Sequence, residues 1–230
     1  QLVRQQCPAQ QLAGFLDQIG LVEAAQPGGR VTHDQIVRFY QLIAAETGDE
    51  MMGLWSRPIR SGTLKHLCAS MRGASSLSAA LYRFTSFWNL LLDDFELELR
   101  HEGEATQILL KPRGTGEARR FGHMLLLKLA HGIASWLTAR ELPLLRVGFA
   151  FERPEFAEDY PVLFPAPILF GQAWSSIAFS GDLGELPLSR SEAEMQDFLS
   201  RAPRDWIFTS SREHALPLRL RELLLQADRL

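Results

Sequence analysis

Cysteine is almost missing from this chain, and its scarcity excludes a disulfide scaffold. Neither Cys7 nor Cys68 sits in a CxxC motif or a Cys/His cluster, so a reducing compartment, the cytoplasm, is the expected setting. Long hydrophobic runs are missing too. The longest, at residues 124–127 and 164–170, fall far short of the roughly 20 residues that a membrane span requires. No charged, apolar and small-residue leader opens the sequence, so neither export nor membrane insertion is expected. Positive charge is not in excess: 24 Lys and Arg against 27 Asp and Glu leave a net charge of -3. A chain so balanced lacks the basic surplus with which a nucleic-acid binder displaces counterions, and any DNA contact must come from elsewhere. The signatures of catalysis are also missing, with no GxSxG, P-loop, dinucleotide fingerprint or HExxH. The expectation is therefore no catalytic residue, no cofactor and no metal.

What is present is apolar and patterned. With 46% hydrophobic and 22% charged residues, the chain can bury one large core or two small ones. Residues 8–19 place Leu12, Phe15, Leu16 and Ile19 on one helical face, and residues 26–29, Gln-Pro-Gly-Gly, make a turn. Thr32 and Gln35 spell a capping box for a helix that carries Ile36, Phe39, Tyr40 and Ile43 and stops near Gly48. Helices are predicted over residues 63–72 and 76–92. In the second, Leu77, Leu81, Phe84, Trp88 and Leu91 share one face, while Ser78, Arg83, Ser86 and Asn89 point away. After Asp93 and Asp94, which read as a helix stop, the period drops to two. Phe95, Leu97 and Leu99 alternate with Glu96, Glu98 and Arg100, and residues 106–111 return after a turn, as in an antiparallel hairpin. Residues 119–138 form the longest predicted helix, apolar nearly all round at 124–127. Residues 146–151 and 168–179 read as further strands. Ser189 or Ser191 caps a short helix with Met195, Phe198 and Leu199, and residues 216–227 make the last one. The predicted class is α+β, with N-terminal helices followed by an antiparallel sheet packed against a long buried helix. One unit over residues 1–230 is expected, with 1–93 mainly helical and 94–230 mixed.

Candidate chemistry is sparse. His123 and His131 lie more than two helical turns apart, too far to share one metal ion. With Arg120, Lys128, Ser135 and Thr138 they fall on one stripe, read as a solvated or interface-facing edge. Five tryptophans and fourteen phenylalanines fill a core, or else edge a pocket. Arg83, Arg140, Arg146 and Arg190 are possible anion clamps, because a guanidinium grips a carboxylate with two parallel hydrogen bonds. The ligand-binding set expected is Trp88, Trp136, Trp174 and Arg146, around a pocket between the long helix and the sheet. Leu218 and Leu225 lie opposite the main apolar stripe of the last helix and are expected to touch a partner. The aromatic-rich composition suits an apolar or amphipathic acid as ligand.

An ordered set of short blocks runs through the chain. The set comprises Gly62-Thr63-Leu64, Met71-Arg72, Leu77-Ser78-Ala79-Ala80, Tyr82-Arg83-Phe84, Leu92-Asp93-Asp94, residues 136–144, Tyr160-Pro161-Val162-Leu163-Phe164, Phe170-Gly171, residues 186–192 and Phe198-Leu199. In content and order it resembles the N-terminal effector-sensing domain, of the arabinose-binding type, of AraC/XylS-family transcription regulators. The resemblance implies a sensory and dimerisation domain that binds a small effector, pairs as a homodimer and reaches DNA only through a C-terminal pair of helix-turn-helix units. Those units would begin about where residue 230 stands. The alternatives are an enzyme acting on a small apolar or aromatic acid, with Asp93, Asp94, His123 and His131 as its acid-base stock, or a ligand-free interaction module.

Overall fold

A computed structural model describes residues 31–103, 105–113, 120–181, 183 and 186–209, together with Gly14, Leu16, Asp17, Gln18 and Gly20. The turn expected at 26–29 and the helix at 216–227, with Leu218 and Leu225, lie outside the described residues. Of the helix expected at 8–19, Gly14 and residues 16–18 are described, and they are helical.

The first complete helix, α1 (His33–Thr47), starts where the capping box places it. Thr32 Oγ1 accepts from Gln35 N at 3.2 Å, and Gln35 Oε1 accepts from Thr32 N at 2.9 Å, so two otherwise orphaned amides are satisfied. The helix ends at Gly48, whose φ of 67° lets its amide reach back to the Ala44 carbonyl. Tyr40 and Ile43 of the expected face are buried and Phe39 is half-buried against the core; Val37 joins them, while Ile36 is only half-buried. α2 (Thr63–Arg72) and α3 (Leu77–Leu91) follow, the latter capped by Ser76 and burying Leu77, Leu81, Phe84 and Trp88.

Asp93 and Asp94 do stop α3, and they also hold the loop before α2. The Asp94 carboxylate accepts from Ser56 N and Oγ, and Asp93 pairs with Arg57. The hairpin forms as expected. β1 (Phe95–Glu102) and β2 (Ala105–Pro112) pair antiparallel with Leu97 opposite Leu110. β3 (Leu144–Gly148), β4 (Ile168–Leu169) and β5 (Ser175–Phe179) complete a five-stranded sheet in the order β1-β2-β5-β3-β4. Every pairing is antiparallel except β3 with β4. The strand expected at 146–151 thus starts two residues earlier and ends three earlier, and the expected 168–179 run divides into two strands.

α4 (Arg120–Leu137) is the long helix. It lies against β5, α3 and the short α7 (Arg204–Ile207), with α5 (Tyr160–Leu163) and α6 (Glu192–Ser200) completing the set. One apolar cluster runs from Tyr40 through Phe84, Phe95 and Leu127 to Trp206, so the helical part and the sheet share a core.

Candidate functional site

The polar stripe of α4 is where structure and sequence part. It was expected to face water or a partner, yet His123, Lys128, His131 and Ser135 are all buried. Other elements cover it and satisfy each polar group, which is the condition for burying one at tolerable cost. The Ser175 hydroxyl accepts from Ala150 N at 2.9 Å and meets His123 Nδ1 at 2.7 Å. Ser135 Oγ accepts from Leu142 N at 3.1 Å. His131 Nε2 lies 2.9 Å from the Leu142 carbonyl, which can only accept, so this nitrogen carries the proton. Its Nδ1 is then free to accept from Lys128 Nζ at 3.3 Å.

Lys128 is 1% exposed. Its ammonium donates to the Leu163 carbonyl at 2.6 Å and to Thr209 Oγ1 at 2.8 Å, and the Thr209 hydroxyl in turn donates to Glu141 at 3.1 Å. Burial pulls the Lys128 pKa down to about 7, against the opposing pull of Glu141. Burial, and then the Lys128 charge, holds His131 down to about 3, so this imidazole is neutral.

This chain of groups opens onto a cleft. α4 ends in a Schellman arrangement: Ala139 N donates to the Trp136 carbonyl and Arg140 N to that of Ser135, at 3.1 and 3.2 Å. The residue that must be left-handed here is usually glycine, yet Ala139 holds φ 57°. The turn leaves Arg140 exposed, with no side-chain ion pair or hydrogen bond among the described residues. Across from α4, α7 approaches because Gly132 has no side chain. A Cβ there would stand 2.3 Å from the Trp206 carbonyl oxygen.

The resulting cleft, of about 590 Å³, is lined by Trp136, Ala139, Arg140, Glu141, Arg190, Glu194, Asp197, Arg201, Asp205, Phe208 and Thr209, with Gly132 and Ser135 beneath. Trp136 stacks on Phe198 with ring centroids 4.5 Å apart, and Arg190 lies over the same indole at 5.6 Å. Arg190 also donates to the Trp136 carbonyl at 2.6 Å and pairs with Glu194. Arg201 bridges Asp197 and Asp205. The Ser191 amide, then Arg190, hold the Glu194 carboxyl at about 2.

The four residues expected around one pocket do not converge. Trp136 lines the cleft. Trp88 is 1% exposed inside the core, and its indole NH has no partner among the described residues. Trp174 is 40% exposed beside β5, with Arg100 and Lys111 over its ring. Arg146 is exposed on β3. The cleft also faces α6 and α7 rather than the sheet. Of the four arginines expected as anion clamps, Arg140 and Arg190 line the cleft and Arg83 and Arg146 do not. Glu141, Asp197, Arg201, Asp205 and Thr209 line it too, and nothing local in the sequence marks them.

A concave site of this size, with an aromatic wall and convergent charges, is the kind of surface that a class of ligand-holding domains presents. Comparison with known proteins makes that class specific. Residues 11–188 match the family described as the arabinose-binding domain of AraC transcription regulator, N-terminal, and the chain belongs to that family. It is a ligand-sensing regulatory domain. Among curated proteins it is 25% identical, over 153 residues, to the ornithine utilization regulator of Pseudomonas aeruginosa. That match takes in 66% of this chain but spans only 45% of the relative's length. Among the described residues no helix is long and apolar enough to cross a membrane.

Proposed function

We propose that residues 1–230 form the effector-sensing and dimerisation domain of a bacterial transcription regulator, acting in the cytoplasm, with the effector held in the cleft beside Trp136. The effector is a small zwitterion of the amino-acid type. One observation carries this reading: Arg140 presents a guanidinium with no ionic partner among the described residues to a cleft whose lining also holds Glu141, Glu194, Asp197 and Asp205. Each carboxylate has about four lone-pair sites, so those already bonded keep acceptor capacity for an ammonium group. A ligand carboxylate would lie on Arg140, its amines on the acidic residues, and its methylenes on the indole of Trp136. The apolar acid suggested by composition does not suit a lining so rich in charge. The relative's name concerns ornithine, which carries one carboxylate and two amines, and ornithine is therefore the first compound to try.

The effector would act by population shift, through its different affinities for two arrangements of a homodimer and its attached helix-turn-helix units. Lys128 supports such coupling, since it ties α4 to Thr209 in the cleft wall and to the carbonyl of Leu163. The single core shared by the helical part and the sheet supports one sensing unit rather than two.

A thermal-shift series with L-ornithine, L-arginine, L-glutamate, L-arabinose and cyclohexanecarboxylate tests the reading. Saturating stabilisation by the cationic amino acids is expected, about 2.7 kcal/mol at a ligand concentration near 100 times Kd. Stabilisation by arabinose or the apolar acid alone would overturn it.

A further inference from the structure

At the other end of α4 a second cavity, of about 200 Å³, lies between the first turns of that helix and residues 156–163. Its walls are Phe121, Met124, Phe156, Tyr160 and Leu163, with Arg120 and Asp159 also lining it. An engineered cavity of about 150 Å³ suffices to hold benzene, so there is room here for one ring or one branched side chain. Phe121 and Phe156 stay 41% and 58% exposed, which leaves apolar surface at the site uncovered.

The two charges are not neutralised by each other. No ion pair joins Arg120 to Asp159, and neither has another ionic partner among the described residues. The Arg120 guanidinium rests over the Phe151 ring at 5.8 Å, and its charge is felt at the Tyr160 hydroxyl. An apolar chamber edged by a cation and an anion that have no ionic partner among the described residues is complementary to a molecule with one carboxylate, one ammonium and a compact apolar body.

We infer that this cavity is a second ligand site, distinct from the charged cleft, for an apolar α-amino acid with a branched or aromatic side chain. The side chain fills the space between Met124 and Leu163, the carboxylate meets Arg120, and the ammonium meets Asp159. Leu163 also connects the two ends of α4, because its carbonyl accepts from Lys128, which holds Thr209 in the other cleft.

Titration calorimetry with L-leucine and L-phenylalanine on the whole chain tests the inference. The controls are 4-methylpentanoate, which lacks the amine, and 3-methylbutylamine, which lacks the carboxylate. The expected result is saturable binding of the amino acids, with each control weaker by about fivefold, the size of one exposed charge pair. Leu163→Trp fills the chamber and abolishes binding. Arg120→Gln and Asp159→Asn, both on exposed side chains that leave folding intact, each weaken the amino acid by a similar factor and erase the preference over the matching control. Arg140→Gln, in the other cleft, leaves leucine binding unchanged. Absence of saturable binding to the wild-type chain, binding that survives Leu163→Trp, binding indifferent to Arg120→Gln and Asp159→Asn, or binding lost in Arg140→Gln would each overturn it. An effector failure at the charged cleft would touch none of these outcomes.

Discussion

Replacing Lys128 by methionine tests whether the buried ammonium has the environment that its neighbours imply. The side chain loses its ammonium and is one heavy atom shorter, but is otherwise of similar shape. In the folded chain the Lys128 pKa lies near 7, below its ordinary 10.5, so the unfolded chain holds this proton more tightly. The penalty for burying the charge is then fully present below about pH 7 and fades as the pH climbs toward 10.5, so that stability rises with pH across that window. The limiting slope is about 1.4 kcal/mol per pH unit, and integration from pH 7 to about 9.5 gives about 3 kcal/mol. The methionine variant lacks this titration, although it orphans the Leu163 carbonyl and Thr209 acceptors. The offset at one pH therefore decides little, and the slope decides the question. Urea unfolding followed by circular dichroism at several pH values should show wild-type stability gaining about 3 kcal/mol on the variant between pH 7 and 9.5. Groups common to both chains cancel, and His131, held near 3, is neutral throughout. A gap constant to within about 0.5 kcal/mol would refute the reasoning, because a Lys128 of ordinary pKa gives no slope in this window.

Two further substitutions probe the cleft's framework. Ala139→Gly removes the left-handed strain at φ 57° and should stabilise the chain by about 1 kcal/mol in denaturant unfolding. Gly132→Ala places a Cβ 2.3 Å from the Trp206 carbonyl oxygen, a backbone atom that cannot rotate away. It should cost about 1 to 3 kcal/mol despite alanine's better helix propensity, and should weaken effector binding because α7 carries part of the cleft wall.

Local signals were legible in the sequence and distant ones were not. The capping box of Thr32 with Gln35 and the period-two hairpin were read correctly because each depends on neighbours a few residues apart. The choice between Ser189 and Ser191 needed the structure, which shows Ser191 paired with Glu194 in a second capping box. The middle of the polar stripe of α4, from His123 to Ser135, is buried rather than a surface, while Arg120 at its start is exposed as expected. Lys128 finds its acceptors 35 and 81 residues away and His131 finds its own 11 away, and no periodicity within the helix records that. The tryptophans show the same limit: composition announces aromatic area, but only packing separates Trp88 in the core from Trp136 at the cleft. Glu141, Asp197 and Asp205 read as ordinary surface acids until the turn after α4 and the approach of α7 bring them to one opening.

The central claim is that the charged cleft holds the effector, and calorimetric titration of L-ornithine into the wild-type chain and into Arg140→Gln tests it most directly. Arg140 makes no side-chain bond among the described residues, so its replacement leaves the fold in place and removes the group that receives the carboxylate. The account predicts saturable one-site binding to the wild-type chain, weakened about tenfold or more by Arg140→Gln, as the loss of a charge-assisted hydrogen bond of about 1.5 to 3 kcal/mol requires. Equal affinity of the two proteins would contradict it.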